Sequence, residues 1–425
     1  MKLFQKMLVA GSALSLIAPV ASQASETINL EEMNGFVRSE KASSRLDSKT
    51  FINNVSEEIA ELKGRVDGLE AKQNDFEAGS FSDTTTLDGK AVFALAAADH
   101  NGNYATNGES LQMQYSYTMN LNSSFTGDDN LYVRIKTGNG SGWTATTSQG
   151  GYLVSNNSNG DTLKVDKIWY SFPVGERNTF WIGPEIENYY MHATTPSIYS
   201  PTLKQFTLGG NASAYGASTN SGFGWAYNAD NGFAVSSNFV SQQTNSGTTG
   251  LLTNQAKTSW ATQVGYTKPQ YSVSAILNLK YNGWSDSYFG TSNGNSRGTA
   301  LNSTNVGLRA WWRPQETGTA TPAISVGYDT SSIDGAASTA DSTDMIFVGL
   351  NWSDMVTADD KIGLAFGQPQ TNESDTVDPF AYEAYYEYTV NDATKVRTTV
   401  FGNSDRDGTA GNDNTGVVVE TSFKF

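Results

Sequence analysis

The chain of 425 residues lacks cysteine altogether and contains only two histidines, His100 and His192. The absence of cysteine excludes disulfide scaffolds, thiolate metal sites and cysteine nucleophiles together. Two histidines leave little room for histidine-based catalysis. Charged residues make up only 16% of the chain, against about 25% in an ordinary soluble domain. The low charge content is unusual for a soluble globular protein.

Basic charge is in deficit as well, with 27 Lys and Arg against 43 Asp and Glu and a formal net charge of −16. A nucleic-acid-binding protein needs a basic face, so this balance argues against nucleic acid as a partner. No apolar run after the N-terminal segment reaches the length of about 18 residues that a spanning helix needs. Gly (41), Phe (20), Tyr (20) and Trp (9) are abundant instead, which is typical of strands with one apolar and one polar face.

The N-terminal segment has the pattern of a secretory signal peptide. Lys2 and Lys6 precede the short apolar run Met7–Val20, and small residues follow at the expected cleavage positions. We predict a signal peptide over 1–24 and a polar linker over 25–50. The apolar run is too short for a spanning helix, so a mature protein that sits in a membrane must do so as a barrel.

Residues 51–78 carry a seven-residue hydrophobic repeat, which predicts a coiled-coil helix. The opposite charges of the flanking pairs Glu58–Lys63 and Arg65–Glu70 suit a parallel coil. Gly64 and Gly68 weaken the helix, so we expect it to depend on partner chains. The alternative is an amphipathic helix that lies on its own domain. The repeat positions are Ile52, Val55, Ile59, Leu62, Val66, Leu69, Gln73 and Phe76.

From residue 80 to residue 425 the period of the pattern changes to two. In Leu111–Leu121 every odd position is apolar or aromatic and every even position is polar. About sixteen such segments follow one another, and their connections are alternately short and long, as in outer-membrane barrels. We therefore predict an all-β fold, a 16-stranded antiparallel transmembrane β-barrel over 80–425 preceded by the coiled-coil helix. A soluble sandwich gives no reason for the alternation of connections.

The pattern places two strands poorly: one at 162–172, which changes face between Val165 and Ile168, and one within 210–228. Beyond the signal peptide, every proline falls in a predicted turn or loop or at a strand start, where it interrupts no ladder. An even number of strands puts both ends of the barrel domain on the periplasmic side. Phe423 and Phe425 share one face of the final strand, and we predict that they form a C-terminal assembly signal.

The inward positions of the predicted strands carry basic side chains, although the chain is acidic overall. Rings of charge set the ion preference of pores. The alternative is that these are ordinary solvated groups of a water-filled lumen. The predicted pore-lining residues are Arg134, Lys136, Lys164, Lys280, Arg309, Arg313, Lys395 and Arg397.

The longest predicted loop, 184–209, combines aromatic, acidic and basic side chains that suit sugars or small polar solutes. We predict that it folds inward as a constriction, and the alternative is an external loop that packs on a neighbouring subunit. Its candidate residues are Glu185, Glu187, Tyr189, Tyr190, His192, Tyr199 and Lys204. No catalytic residue or cofactor is predicted. No metal site is predicted either, because the acidic stretches 99–109 and 405–413 resemble a calcium-binding loop only faintly.

Three stretches resemble a known family. LKGRVDGLEA at 62–71 followed by FSDTTTLDGKAVF at 81–93 resembles the coiled-coil-to-first-strand junction of cyanobacterial outer-membrane porins, which are related to the carbohydrate-selective porins. INLEEM at 28–33 resembles the start of their mature chains. The resemblance implies a homotrimeric 16-stranded pore for passive uptake of sugars or inorganic ions, including iron. It also implies an S-layer-homology domain before the coil, but only polar residues 34–53 occupy that place, which puts cell-wall anchoring in doubt.

We therefore expect a non-enzymatic porin of the outer membrane: a water-filled channel for passive diffusion of small hydrophilic solutes, with its coiled coil in the periplasm. The expected partners are outer-membrane lipid, those solutes, and further copies of the chain in a homotrimer. The alternative is a structural outer-membrane tether whose barrel is no significant conduit. A barrel enzyme such as a lipase would need a nucleophile and a base near the bilayer rim.

Overall fold

The computed structural model describes residues 84–103, 110–146, 150–216, 218–244, 248–286, 288–291, 302–335 and 341–425, together with Lys63. The predicted signal peptide, linker and coiled-coil positions lie outside these residues, so they stay predictions. Within the described part of the chain, no helix has both the length and the apolar character needed to cross a membrane.

The described residues contain sixteen strands that close into one barrel, which confirms the predicted fold. The strands are β1 Thr85–His100, β2 Gln112–Ser123, β3 Asn130–Gly138, β4 Lys164–Val174, β5 Asn178–Ile186, β6 Asn220–Asn228, β7 Phe233–Ser241, β8 Thr258–Lys268, β9 Tyr271–Tyr281, β10 Asn302–Trp312, β11 Ala323–Asp334, β12 Ser342–Ser353, β13 Lys361–Thr371, β14 Phe380–Asn391, β15 Thr394–Ser404 and β16 Asn414–Lys424. Short 3-10 helices lie in the connections at Gly142–Ala145, Asn188–Met191, Lys204–Gly209 and Arg406–Gly408.

Each strand pairs antiparallel with its neighbours in the chain, and β1 closes the barrel against β16. The two faces of every strand differ in chemistry, as β9 and β10 show. The outward side chains Val273, Leu277 and Leu308 are 41–51% exposed, whereas the inward Asn278 and Asn305 are buried. In a membrane the outward face contacts lipid, and closure leaves no strand edge with unpaired N–H and C=O groups.

Short and long connections alternate from β1 to β10, as predicted. The prediction is wrong between β10 and β13, where the connection expected to be long, residues 335–341, is no longer than its neighbours 313–322 and 354–360. Residues 269–270 join β8 to β9 and residues 175–177 join β4 to β5. In contrast, residues 139–163 separate β3 from β4, and residues 187–219 separate β5 from β6. The long connections therefore belong to one rim, and two of them build the site described below.

The two strands that the pattern placed poorly have physical explanations. β4 has a bulge at Asp166, where the register of its pairing with β3 shifts. One extra residue in one strand of a pair moves the following side chains to the other face, which accounts for the change within 162–172. β6 begins only at Asn220, because 210–219 belongs to the connection before it.

The prediction for proline is wrong at three positions, because Pro173, Pro184 and Pro369 lie within β4, β5 and β13. The pairing of β5 with β6 shifts register between Gly183 and Ile186, on either side of Pro184. A similar shift in the pairing of β12 with β13 accompanies Pro369. A bulge leaves a backbone group outside the ladder, so proline at that place removes no ladder hydrogen bond.

The last residues join the two ends of the sheet. Phe425 and Gly89 exchange two backbone hydrogen bonds of 2.9 and 3.1 Å. The Phe425 ring stacks on Tyr117 with centroids 5.6 Å apart, and Phe423 meets Phe93 edge-on at 5.5 Å. Position 89 requires glycine, because a Cβ there would lie 2.7 Å from the Phe425 ring. That these two phenylalanines form an assembly signal stays a prediction.

Two turns, before β3 and before β13, are each built around one carboxylate. Each carboxylate accepts hydrogen bonds from backbone N–H groups of its own turn. It also accepts one from the hydroxyl of a tyrosine on a neighbouring strand, β4 for the first turn and β14 for the second. The donors are Phe125, Thr126 and Tyr170 for Asp129, and Met355, Val356, Thr357 and Tyr386 for Asp360. The hydrogen bond from Tyr170, above all, holds the pKa of Asp129 well below its usual range. Burial alone would raise the pKa of Asp360, but the backbone hydrogen bonds outweigh it and lower that pKa.

Because these two pKa values are lowered by folding, the turns should stabilise the barrel only while their carboxylates are ionised. The stabilisation is complete above the ordinary carboxyl pKa of 3.8 and is lost as the pH falls below it. We expect the melting temperature of the refolded barrel to fall with acidification below that pH. The double variant Asp129→Asn/Asp360→Asn should melt lower at pH 7 and depend less on acid. An equal acid dependence of variant and parent in thermal melts would contradict this account.

Candidate functional site

The connection between β5 and β6, residues 187–219, lies inside the barrel and is called the inner loop. Its backbone N–H groups are bonded to inward side chains of distant strands: Thr194 to Gln263 of β8 at 2.9 Å and Ile198 to Ser325 of β11 at 3.1 Å. The Thr202 hydroxyl meets that of Thr399 of β15 at 2.8 Å. These partners all belong to the inner wall, so the inner loop crosses the lumen.

The stretch 199–203 of the inner loop is held by β14 and β15. The Glu383 carboxylate accepts the Tyr199 hydroxyl at 2.8 Å and the N–H groups of Thr202 and Leu203 at 3.1 and 2.8 Å. The Arg397 guanidinium donates to the Ser200 carbonyl at 3.0 Å and to its hydroxyl at 3.2 Å. Two charged side chains of the wall therefore position this stretch.

The return of the inner loop is clamped by Arg309 of β10. Its guanidinium donates to the carbonyls of Leu208 and Gly210 and forms an ion pair of 2.5 Å with Asp329 of β11. The backbone at Leu208 and at the two following glycines has positive φ values of 57°, 76° and 85°. Glycine is needed at 209 and 210, because a Cβ would lie 2.7 Å from Arg309 and 2.8 Å from Met345.

A second connection, residues 139–163 between β3 and β4, also enters the lumen and is called the β3–β4 loop. Leu153 forms a β-bridge with Leu203 of the inner loop, flanked by hydrogen bonds from Val154 to Thr202 and from Lys204 to Tyr152. The two loops are thus joined by a short ladder. The sequence pattern did not predict that this loop turns inward. Its Trp143 and Leu153, which are buried, were the available signal, because such side chains are unexpected in a loop exposed to water.

Further polar contacts fix the joined loops. The Ser155 hydroxyl donates to Glu420 of β16, and the Asn156 amide donates to the Thr144 carbonyl at 2.6 Å. The Lys204 ammonium lies between two rings, 4.7 Å from the centroid of Tyr152 and 4.3 Å from that of Tyr288. Burial disfavours the ammonium, but the facing tyrosines outweigh it and raise the pKa of Lys204, so this cation–π contact is present at neutral pH.

A row of aromatic rings follows the inner wall from β3 to the inner loop. Tyr132 of β3 lies opposite Trp169 of β4 with ring centroids 4.2 Å apart. Trp169 then contacts Tyr190 at 4.6 Å, and Tyr190 contacts Tyr189 at 4.3 Å. Trp169 is buried, whereas the three tyrosines are half-buried. The Arg134 guanidinium donates to the Tyr190 hydroxyl at 3.2 Å, so the row combines ring faces with polar groups.

Basic side chains face a cavity of about 180 Å³ beside the stretch 199–203. Three cations line it, Lys90, Lys395 and Arg397, together with the carboxylates of Glu387 and Glu420. Glu387 binds both Lys395 and Arg397, at 3.3 and 2.6 Å, whereas Lys90 forms no ion pair among the described residues. A second cavity, of about 250 Å³, contains Arg313 and Lys361. Ser200 of the inner loop lines both cavities.

A family model described as "Carbohydrate-selective porin, OprB family" matches residues 46–401, which is most of the chain. The chain belongs to the carbohydrate-selective porin family. Family and fold together support a porin of the outer membrane and point to a channel rather than an enzyme.

The fold of the porin is similar to several solved structures. Pseudomonas putida OprB aligns with a TM-score of 0.60 at 12% identity, covering 80% of this chain and 94% of that one. A loop-deletion mutant of Vibrio cholerae OmpT gives 0.51 at 12% identity, with 80% and 99% covered. A mutant of the Rh. blastica porin gives 0.51 at 14% identity, with 80% and 100% covered. At these identities the likeness shows the fold alone.

One curated relative is an uncharacterized protein of Nostoc sp., 33% identical over 135 residues. The match covers 29% of this chain and 23% of that protein. The chain therefore spans less than a quarter of the relative's length, and nothing about that protein's activity transfers to the porin.

Two of the eight basic residues predicted to line the pore do not do so, and the prediction is wrong for Lys280 and Arg309. Both face inward, but their side chains are only 1% exposed. Lys280 forms an ion pair with Asp286, as Arg309 does with Asp329. The alternation along a strand shows which way a side chain points, not whether a loop covers it.

The other six basic residues differ in their partners and in their exposure. Arg134 forms an ion pair of 2.6 Å with Asp166, and Lys136 donates to the Asn156 carbonyl at 3.3 Å. Lys164 and Arg313 are exposed. The remaining two, Lys395 and Arg397, share Glu387 as described above. Their influence on permeating solutes stays a prediction.

The residues predicted to form the constriction do not all belong to the inner loop. Glu185 is exposed and lies in β5, so the prediction that it is a loop residue is wrong, because that strand runs on through the bulge at Pro184. Glu187 forms an ion pair of 2.6 Å with Lys167. Loss of hydration lowers the pKa of His192 to about 3, so its ring is neutral at pH 7. That ring contacts the Asn238 amide at 3.1 Å.

Proposed function

We propose that small hydrophilic solutes diffuse through the lumen that the inner loop and the β3–β4 loop leave open. The observation that carries this proposal is the bonding of both loops to the inner wall, above all the ladder at Leu153 and Leu203. Loops bound to the inner wall in this way narrow the lumen of a wide barrel and leave part of it open. A 16-stranded barrel has an aqueous interior, so a narrowed lumen sets which solutes pass.

The aromatic row supports sugars as one class of solute. Tyr132, Tyr189 and Tyr190 present ring faces and hydroxyl groups, and the nearby Arg134 and Asp166 provide a hydrogen-bond donor and acceptors. Binding sites for small molecules commonly combine such aromatic surfaces with a few polar groups that orient the ligand. A sugar has apolar C–H faces and hydroxyl edges, which match this arrangement.

The cavity with Lys90, Lys395 and Arg397 supports small inorganic anions as a second class. Cationic side chains that line a pore favour anions and hold back cations. No group of three or more His, Asp or Glu side chains among the described residues is placed to hold a metal ion. Of the inorganic ions that the resemblance suggests, the basic lining therefore favours anions over free iron cations.

We also propose that the chain is exported by its signal peptide and forms a homotrimer whose coiled coil, residues 51–78, lies in the periplasm. The seven-residue hydrophobic repeat in the sequence of that segment supports association of chains.

The refolded full chain in a planar bilayer should open stable, water-filled channels that close in three equal steps. Under a salt gradient the reversal potential should show a preference for anions, and vesicles that contain the porin should swell in monosaccharide solutions. Swelling in sugars tests the aromatic row, and the reversal potential tests the basic cavity. Stable insertion with neither conductance nor swelling would contradict the channel and favour a structural tether.

A further inference from the structure

Glu383 is the one side chain of β14 that binds the inner loop directly through several bonds, and it is fully buried. Its two carboxylate oxygens accept three hydrogen bonds, from the Tyr199 hydroxyl and the N–H groups of Thr202 and Leu203. All three donors belong to the inner loop. Among the described residues Glu383 forms no ion pair within 4.0 Å, so its bonds are directed at that loop alone.

The stretch that Glu383 holds lies beside two cavities, both lined by Ser200. On one side Ser200 and Pro201 line the cavity that contains Lys90, and on the other side Ser200 lines the cavity that contains Arg313. The same stretch accepts the hydrogen bond from Val154 of the β3–β4 loop at 2.9 Å. A displacement of this stretch would therefore change the shape of both cavities and move the β3–β4 loop with it.

Other anchors of the stretch are weaker or are shared with the wall. Thr399 contributes one hydroxyl contact. Arg397 binds Ser200, but it also binds Glu387 through two nitrogen atoms and lies over the Tyr385 ring at 4.2 Å. Arg397 would keep those wall contacts if the loop moved, whereas Glu383 would lose every partner that it has. Displacement would break three hydrogen bonds at Glu383 at once, so Glu383 opposes displacement most.

We propose that Glu383 is a positioning residue that sets the size limit of the channel by fixing residues 199–203 across the lumen. This inference rests on the proposed function, because it concerns the passage through which solutes diffuse. Glu383 itself touches no solute, since it is buried behind the loop. It acts through the position of Ser200 and Pro201.

The nearly isosteric variant Glu383→Gln tests the proposal. All three partners of Glu383 are donors: Oε1 accepts from Tyr199 and Thr202, and Oε2 accepts from Leu203. A glutamine that keeps its one acceptor oxygen towards the first two places an NH₂ group against the Leu203 N–H group. We expect the inner loop to leave the wall, a higher single-channel conductance, and vesicle swelling with trisaccharides that the parent porin excludes. Folding of the variant is checked by its mobility on unheated gels.

A charge-matched control is available on the same strand. Glu387 also faces inward, and Glu387→Gln removes the same formal charge, but Glu387 binds Lys395 and Arg397 rather than the backbone of the inner loop. This control should shift the reversal potential towards stronger anion preference and change the sugar size limit less than Glu383→Gln does, because Arg397 can keep its hydrogen bonds to Ser200. Glu383→Gln should act mainly on the size limit.

A reversible rescue separates positioning from general damage. The hydroxyl oxygens of Thr202 and Thr399 are 2.8 Å apart, so we expect cysteines at both places to form a disulfide, whose sulfur atoms are about 2.0 Å apart. The chain has no other cysteine. In the triple variant Glu383→Gln/Thr202→Cys/Thr399→Cys, oxidation should restore the parent size limit and reduction should abolish it again.

An unchanged size limit in Glu383→Gln, or no difference between the oxidised and reduced triple variant, would overturn the proposal. If Glu383→Gln does not fold, Tyr199→Phe decides, because it removes one of the three donors without changing the wall. A larger size limit in Tyr199→Phe supports the proposal, and an unchanged one overturns it. A parent porin that neither conducts nor swells vesicles would refute the proposed function instead.

Discussion

Replacing Arg309 with leucine is expected to lower the free energy of unfolding of the barrel by about 3–5 kcal/mol. The substitution leaves Asp329 buried without its cation, with both side chains at 0–1% exposure in the parent. It also removes the donors that the Leu208 and Gly210 carbonyls use. Urea unfolding of the refolded chain, followed by tryptophan fluorescence, measures the loss.

Two variants show whether the buried charge causes the effect. Adding Asp329→Asn to Arg309→Leu removes the charge but keeps an acceptor for the Ala214 N–H group, so part of the lost stability should return. Arg177→Leu breaks the pair Arg177–Asp230, whose side chains are 45% and 79% exposed, and should change stability little. If Arg309→Leu and Arg177→Leu lowered the free energy of unfolding equally, the burial of the Arg309–Asp329 pair and its bonds to the inner loop would not contribute to stability.

Reversing two charges of the basic cavity is expected to reverse the ion preference of the channel. In the parent, three cations face two carboxylates in the cavity. In Lys90→Glu/Lys395→Glu one cation would face four carboxylates. An interaction of about 1 kcal/mol for each charge near water corresponds, for two reversals, to a change on the order of tenfold or more in the ratio of anion to cation permeability. The reversal potential in a salt gradient reports that ratio.

The neutral variant Lys90→Gln/Lys395→Gln should fall between the parent and the reversed channel. Lys257→Glu, at an exposed loop position, makes a charge change of the same sign outside the cavity and should leave the ratio near that of the parent. The effect should also weaken as salt concentration rises, because ions screen exposed charges. An ion preference that does not respond to the double reversal would place the selective step elsewhere in the lumen.

The barrel could be predicted from the sequence because its strands obey a local rule. Lipid outside and water inside force a period of two on each strand, and the alternation of short and long connections orders the strands around the barrel. The period of two fails where a strand has a bulge, as at Asp166 and near Pro184. At Asp166 the extra residue shows in the sequence only as a change of face, which the pattern alone does not assign to a bulge.

The interior of the site could be predicted only in part, for a different reason. The aromatic and charged composition of 184–209 indicated an inward loop, but the burial of Lys280 and Arg309 depends on where distant residues come to rest. Arg309 meets the Leu208 carbonyl across 101 positions of the chain. The joining of the β3–β4 loop to the inner loop is likewise a contact between two irregular segments, and no periodicity reports it.

The ladder and the anchors of the inner loop also constrain the order in which the molecule matures. The Leu203 N–H group bonds to Glu383, which follows it by 180 residues, and the Thr202 hydroxyl bonds to Thr399, 197 residues later. Neither bond can form before those later strands are in place. Contacts so far apart in the chain form late, since the intervening chain must first be ordered. We therefore expect a newly closed barrel to pass through a wide, leaky stage, in which conductance precedes sieving and the discriminating filter settles last.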